Sequence, residues 1–588
     1  MTKKVFILTI YCLLASLMSM AQNTEFDELP NPAAKDMPAW QQVKGNIVTW
    51  GSTDVRYPQE KPVTERIKAL HFTAWRGETV NAQVVASAGE ETCIKVRPLT
   101  LKKDAKNCIA PEQIEMFVVR YVMTDELNKD GKGGCGRRNK EDFDSSLVAD
   151  FLDPLMPNEE TTIGKQQTRP VWLSIHIPHD AASGTYRGTV EVVDAQNKLL
   201  QRLPIRIDVS NRTLPPPNQW KFHLDLWQNP YAVSRFYGVK PFSDEHLELM
   251  RPVIKRYAEA GGKVITTSII YRPWNGQTED AFDSMIDWRR GKDGQWTFDY
   301  TIFDRWVAFM MQMGVTKQIT CYSMIPWKLS FRYYDEATGK YAYLKAEPGS
   351  EAFETFWKRM LIDFAAHLKS KGWFDKTYIG IDERKMEHVI ATLKVVRAAD
   401  PIFKVAYAGN YHPELAYELD DYCIAYYRTF PEGVKEQRTR YGMTSTYYTC
   451  CSEPQPNSFT FSPPAESAYL GLYAAAQNYD GYLRWALNSW TKNPCQDSRF
   501  RTWAAGDCYQ LYPSRKGTCS SSIRYEKLRE GIQDYEKVRI LKETFRKENN
   551  QEGLKRLNIL LKNIDNDQIL LHPADELVNA ARKELNKL

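Results

Sequence analysis

Two carboxylates stand side by side where an apolar run ends, in Tyr378-Ile-Gly-Ile-Asp-Glu383. The run reads as a buried strand, so its end thrusts Asp382 and Glu383 into whatever lies beyond the sheet. Neighbours on a regular strand point to opposite faces, but at the terminus the chain turns and both can face one cavity. Two carboxyls crowded over an apolar floor cannot both ionise freely, so one keeps its proton toward neutrality. A protonated carboxyl there can serve as general acid for a glycosidic oxygen. An ordinary retaining glycosidase sets its second carboxylate across the sugar, about 5–5.5 Å from the acid, and neighbours rising from one wall straddle a ring poorly. The pair therefore suits a sugar that brings its own nucleophile, the carbonyl oxygen of a 2-acetamido group. Glu383 would protonate the leaving oxygen and later activate water, while Asp382 would hold the acetamido N–H and balance the positive oxazolinium. An Asp-Glu after a strand can equally open a helix, with Asp as N-cap and Glu in the first turn, and these residues alone leave that choice open.

The elements that must position the pair follow Leu214-Pro-Pro-Pro217, where the rhythm becomes strand then helix. Strands are predicted over Trp220–Trp227, Val264–Tyr271, Gln318–Met324, Lys376–Glu383, Phe403–Asn410, Asp421–Tyr427, Ser445–Cys450 and Gly481–Asn488. Helical periodicity runs through Leu247, Met250, Ile254 and Tyr257 up to Gly261-Gly262, from about Ile302 to Met313, and through Phe353, Phe356, Met360, Phe364 and Leu368. A last helix is predicted from about Ser521 to Glu548. Eight alternations over about 330 residues predict a (β/α)8 TIM barrel across 220–548, with its active site at the carboxyl ends of the strands. A doubly wound open sheet is the other option, but no glycine-rich phosphate loop follows the first strand. Over 22–213, short β-rich runs (Ala82–Ala86, Glu115–Met123, Val171–Ile177, Gly188–Val193, Leu203–Val209) between turn residues predict an antiparallel β-sandwich. It is expected to pack on the barrel rather than act as an independent lectin. Residues 214–219 read as a stiff Pro-rich linker, and 549–588 as a charged helical tail on the barrel exterior. The polar segment between Thr124 and Gln167 either reaches the barrel mouth or is disordered.

Composition narrows the function further. Lys3 and Lys4, the apolar stretch Val5–Met20 and the small residues Ser19 and Ala21 predict a signal peptide over 1–21, hence export to periplasm or medium. No later run approaches the ~20 apolar residues of a membrane helix, so no membrane insertion is expected. Net charge is +5 with both signs interleaved, which leaves no basic stripe for nucleic acid. The nine histidines lack ligand spacing. Asn128-Lys-Asp-Gly131 resembles a calcium loop, but Arg137 stands where the closing Glu should be. No metal or organic cofactor is expected. Sixteen Trp and thirty-two Tyr offer flat faces for sugars, although most must serve the core. Spacing fixes no disulfide pairing. Cys321 and Cys423 fall in predicted strands and are expected as buried thiols, and Cys450-Cys451 as two unpaired thiols rather than a vicinal bridge.

Further sugar-binding candidates sit at predicted strand ends: Asp225 and Trp227, Asn410, Tyr426 and Tyr427, Tyr447 and Tyr448, and Trp485, Asn488 and Trp490. An acetamido methyl needs aromatic walls and its oxygen a donor such as a Tyr hydroxyl, though barrel packing explains any single ring equally well. Alternation sends Trp485 and Trp490 opposite ways. Gly531 lies mid-helix, where it costs ~1 kcal/mol against Ala, which close approach of the helix to the barrel would explain. Arg524 and Glu526 are expected to anchor that helix by ion pairing.

Several segments together resemble glycoside hydrolase family 123. They are Asp225-Leu-Trp-Gln-Asn-Pro230, Ile381-Asp-Glu383, Tyr482-Leu-Arg-Trp-Ala-Leu-Asn-Ser-Trp490, Ser522-Ile-Arg-Tyr-Glu-Lys-Leu-Arg-Glu-Gly-Ile-Gln-Asp-Tyr-Glu536 and Asp144-Ser-Ser-Leu-Val-Ala-Asp150. The resemblance implies N-acetyl-β-galactosaminidase activity on terminal β-linked N-acetylgalactosamine of glycans or glycolipids. It also implies substrate-assisted, retaining catalysis by an adjacent Asp-Glu pair, here Asp382 and Glu383. Three rivals stand beside it: a β-N-acetylglucosaminidase of the same fold, a non-catalytic glycan-binding protein, and a conventional double displacement by other carboxylates such as Asp420 or Asp421.

Overall fold

A computed structural model describes residues 25–126, 135–136, 145–515 and 517–588. The expected signal peptide and the Asn128–Gly131 stretch lie outside the described residues. The predicted strands form an eight-stranded, all-parallel sheet. Its members are β1 (His223–Leu226), β2 (Val264–Ser268), β3 (Gln318–Tyr322), β4 (Thr377–Ile381), β5 (Lys404–Gly409), β6 (Asp421–Ala425), β7 (Thr444–Tyr448) and β8 (Gly481–Arg484). The order is β1-β8-β7-β6-β5-β4-β3-β2, and a parallel bridge from Leu224 to Gly262 draws β1 toward β2. The sheet is a nearly closed barrel. Helices cover it: α1 (Asp244–Glu259), α2 (Thr301–Gln312), α3 (Glu351–Ser370), α4 (Met386–Ala399), α5 (Val434–Arg440) and α6 (Pro464–Ala476). Ser243 and Ser350 cap α1 and α3 through their side chains. The stripe Phe353, Phe356, Met360, Phe364 and Leu368 is wholly buried. The ladders stop short of the predicted apolar runs, which continue as loops that keep single bonds to their neighbours, such as Ile269 N–H to Tyr322 O at 2.7 Å.

The amino-terminal region is all-β. One sheet runs Asn46–Gly51, Thr79–Ala88, Gln167–His176, Ile114–Thr124, Ser146–Pro154. Its last edge strand, Ser521–Ser522, arrives from beyond the barrel and pairs with Leu152 and Phe151. The facing sheet contains Leu70–Arg76, Leu199–Thr213, Gly184–Asp194, Thr92–Val96 and Thr161–Ile163. Val84, Val171, Leu173, Val190, Ile205 and Ile207 fill the space between them.

Helix α7 (Ile523–Lys547) joins the two regions rather than belonging to the barrel alone. One face meets α6 so closely that a Cβ on Gly531 would stand 2.2 Å from the Ala468 carbonyl oxygen, and one on Gly471 2.1 Å from Gly531. That contact accounts for a glycine in mid-helix. The other face is bonded to the sandwich: Arg524 Nε to Asp150 at 3.0 Å, Lys527 to Asp54 at 2.7 Å, and Asn81 Nδ2 to Glu530 at 2.8 Å. Glu526 accepts from Ser521 Oγ at 2.6 Å. The Pro-rich stretch is no free spacer, since Leu214 is buried and its N–H donates to Arg76 O at 2.8 Å. The tail, α8 (Gln551–Leu561) and α9 (Ala574–Leu585), touches both regions. Arg582 pairs with Asp534 at 2.6 Å, and Arg212 donates to Leu588 O at 2.6 Å.

Two features depart from expectation. The loops after β2 and β3 build a four-stranded sheet from Asp287–Arg290, Trp296–Asp299, Ser330–Asp335 and Lys340–Lys345. Cys451 is not an unpaired thiol: it is bonded to Cys135, and Gly136 N–H donates to Thr502 O at 3.1 Å. Cys135 and Gly136 thus reach the barrel rim. Cys450 remains a free thiol, as do buried Cys321 and Cys423. Among the described residues no helix is long and apolar enough to cross a membrane.

Candidate active site

Strand β4 ends at Ile381, and α4 does not begin until Met386, with Lys385 as its N-cap. Asp382 and Glu383 therefore cap no helix. They lie in the β4–α4 loop at the carboxyl end of the barrel, where this architecture builds its sites. Their environments differ sharply. Asp382 is buried, takes the Trp327 indole N–H at 3.0 Å on Oδ2, and has Arg384 3.1 Å from Oδ1. Burial pushes its pKa up; Arg384 and Trp327 oppose the shift without cancelling it, and Glu383 adds to it. Glu383 is exposed and accepts the Tyr448 hydroxyl hydrogen on Oε1. Of the pair, Asp382 is the buried acid. Burial acts on each carboxyl separately, and Glu383 leans into the open mouth.

An aromatic box adjoins the pair. Trp227, at the end of β1, stands 4.5 Å from Tyr322 and 5.0 Å from Trp274 between ring centroids, and Trp274 lies 5.1 Å from Tyr322. Tyr448 and Leu483 complete the same buried cluster, with Trp485 at its edge. Trp485 packs edge-on against Trp503 at 5.8 Å, the residue that pairs with Cys135, so the bridged segment borders the mouth. Tyr407 on β5 also feels the pair: burial and the charges of Glu383 and Asp382 push its hydroxyl up to about 12. Tyr427 and Asn410 are exposed on the rim. Tyr427 faces Arg428 at 5.0 Å, and Asn410 Oδ1 accepts from Arg428 Nε at 3.2 Å.

Five sequence candidates do not line the mouth. Tyr447 and Tyr426 face outward under α6, where Tyr447 donates to Leu470 O at 2.6 Å and Tyr426 packs 4.8 Å from Tyr473. Strand β8 stops at Arg484, so Asn488 and Trp490 do not end it and the alternation expected between Trp485 and Trp490 does not apply. Asn488 spends both ends of its amide on the Asn229 backbone at 2.9 Å, and Trp490 is buried with its N–H on Leu511 O at 2.7 Å. Asp225 points into the barrel but one layer beneath Trp227, in a buried group with His223 and Asp421. Burial and the Asp421 charge push it up to about 7 against the pull of His223. The rival carboxylates also sit away from the mouth. Asp421 opens β6 at the amino end, held by Gln318 at 2.8 Å and His223 at 3.3 Å, and Asp420 accepts Val405 N–H at 2.9 Å.

Trp327 and Arg384 were missed in the sequence. Arg384 follows the pair directly, and its guanidinium lies 4.2 Å over the Trp327 ring while Nε donates to Ile325 O at 2.7 Å. Adjacency could have flagged Arg384; nothing local marks Trp327.

Comparison with known proteins agrees with this geometry. Residues 227–541 match the glycoside hydrolase 123 catalytic domain and residues 50–194 the glycoside hydrolase 123 N-terminal domain. The chain belongs to glycoside hydrolase family 123. It superposes on a family 123 glycoside hydrolase from Clostridium perfringens, studied for glycolipid glycan hydrolysis, with a TM-score of 0.82 and 26% identity, over 92% of this chain and 98% of that one. An endo-β-1,4-mannanase from Thermotoga petrophila aligns only weakly, with a TM-score of 0.31 and 11% identity over 55% of this chain and 78% of its own, and carries no argument. No curated protein matches. The family 123 fold comprises both regions here, and its catalytic match spans the barrel from Trp227 into α7.

Proposed function

We propose that this glycoside hydrolase is exported and removes terminal β-linked N-acetylgalactosamine from glycans or glycolipids, with retention and with the sugar's own acetamido oxygen as nucleophile. The reading rests on one observation: adjacent carboxyls rise from a single wall, one sunk beside an aromatic box and the other open to the mouth. The acetamido methyl packs against the cluster of Trp227, Trp274 and Tyr322, and its N–H meets Asp382. The carbonyl oxygen attacks the anomeric carbon as Glu383 gives its proton to the leaving oxygen, forming an oxazolinium. Asp382 is costly to ionise while the site is empty, so a positive ring built beside it gains strongly from the low dielectric. Glu383 then takes a proton from water, which opens the oxazolinium and restores the β-anomer. Tyr448 holds Glu383 for both steps. The glycolipid arm is supported by the glycan chemistry named for the Clostridium perfringens relative, and export by the leader-like sequence over 1–21.

A panel of chromogenic β-N-acetylgalactosaminide, β-N-acetylglucosaminide and unacetylated β-galactoside tests this. Turnover of the first with strong inhibition by a thiazoline mimic is expected. Equal cleavage of the plain galactoside, with indifference to the thiazoline, would overturn the assisted mechanism. Faster cleavage of the glucosaminide would move the specificity to its C4 epimer.

A further inference from the structure

The four-stranded rim sheet has two faces of different character. Its inner face packs: Trp288 stacks on Phe356 of α3 at 4.6 Å, Trp296 meets Phe356 at 5.3 Å, and Phe331 lies 5.5 Å from Trp357. Side chains alternate along a strand, so the partners Arg332↔Tyr343 and Tyr334↔Tyr341 share the outer face. There they form a ladder. Arg289 lies 5.2 Å over Tyr334, Tyr334 meets Tyr341 edge-on at 5.5 Å, and Arg332 lies 4.6 Å over Tyr341 and 3.7 Å over Tyr271. Tyr341 is 56% exposed and Tyr343 54%. Packing does not require these rings, because the inner face already seats the sheet.

We propose that this outer face is a stacking platform for the uncharged sugars that follow the cleaved residue, an inference that rests on the glycosidase reading above. Three observations select that occupant. The face is continuous with the site: Trp327, 47% exposed and bonded through its indole N–H to Asp382, precedes the Ser330–Asp335 strand, and its backbone N–H donates to Pro273 O beside Trp274. Arg332, the partner of Tyr343, lies five positions after Trp327, so at most about 17 Å of extended chain lies between them, within an oligosaccharide's span. The guanidiniums are already neutralised, Arg289 by Asp287 at 2.7 Å and Arg332 by Asp283. What remains on offer is flat, amphipathic ring surface rather than a charge for a sulfate or carboxylate.

The test compares kcat/KM for a chromogenic β-N-acetylgalactosaminide with that for a free neutral oligosaccharide ending in the same sugar. The wild type should favour the longer substrate. In the Tyr341→Ala/Tyr343→Ala double variant the long-to-short ratio should fall about tenfold, mainly through KM, and Tyr341→Phe/Tyr343→Phe should restore it by keeping the rings. Both side chains are more than half exposed, so the Tm of the variants should match the wild type. A wild type with no preference for length, or a ratio that survives the double variant, overturns the platform. So does a loss confined to glycolipid in phosphatidylcholine vesicles, which would assign the face to a lipid surface. A wild type inert on both substrates would instead overturn the N-acetylgalactosaminidase reading.

Discussion

Charge is buried in opposite ways at the seam between sandwich and barrel and at the barrel mouth. At the seam the carboxylates meet cations and hydrogen-bond donors, and Asp54, despite burial, is held below its ordinary pKa by Lys527. Asp150 is shared by Arg56 at 2.9 Å, Arg524 at 3.0 Å and the Tyr512 hydroxyl at 2.7 Å. Glu530 is held below its ordinary pKa despite burial, because Lys527 and Arg582 flank it. For two carboxyls of the barrel the balance falls the other way, although Asp421, in the same buried group as Asp225, is held low against burial by His223 and Gln318. Asp382 is raised although Arg384 and Trp327 bond to it, and Asp225 is pushed up to about 7. A saturated charge fixes one region against another. A charge left in deficit is poised for a cation, and in the proposed reaction the oxazolinium is that cation.

The largest expected effect falls at the mouth. Glu383→Gln should lower kcat on the chromogenic substrate by roughly 10²–10⁴-fold, with Tm and thiazoline binding by calorimetry retained; near-normal turnover would remove Glu383 as proton donor. The seam answers in stability instead. Asp150→Ala strands two buried guanidiniums and should cost about 3–5 kcal/mol, read from denaturant midpoints, while the remaining folded enzyme keeps its kcat. A loss below about 1 kcal/mol would mean that saturation there is dispensable.

The barrel interior should show its deficit as a pH slope. With a folded pKa of about 7 against ~3.9 for an exposed Asp, native Asp225 keeps a proton that the unfolded chain has released. Its stabilising contribution is complete below about pH 4 and declines as pH rises, until Asp225 itself ionises near 7. Asp225→Asn should flatten Tm against pH across that window; an unchanged slope would detach Asp225 from it, since His223, whose pKa is also raised, loses its contribution only above about pH 6.5. The smallest effect tests the oppositions around Asp382. Trp327→Phe removes one N–H donor to a carboxylate and should lower kcat/KM about tenfold, with the acid limb of the pH–rate profile moving upward. An unmoved limb would detach Trp327 from Asp382.

The barrel was legible because short β-rich runs alternate with helical periodicity eight times, although strands such as Thr444–Tyr448 are not apolar throughout, and the candidate pair because it ends the apolar run Tyr378–Ile381. The rim sheet was not. Its strands alternate aromatic and charged residues within stretches that otherwise serve as barrel connections, and the turn at Asp335-Glu-Ala-Thr-Gly339 was its one local signal. Among paired candidates, such as Tyr447 and Tyr448, composition could not choose. Register placed Tyr448 inward and Tyr447 under α6. Trp327 lies 55 residues before Asp382 and meets it only because the β3 loop folds back over the β4 end.

The chain by itself determined which chemical groups exist, their order, and that two carboxyls terminate one apolar strand. Tertiary structure alone decided that Asp382 is sheathed and Glu383 open, that Cys135 reaches Cys451, and that Tyr341 and Tyr343 face solvent beside the site. The reason is that desolvation and Coulomb interaction act through space. Each carboxyl's state is set by groups from β3, β4 and β7 that are distant along the chain and adjacent only once the barrel is nearly closed.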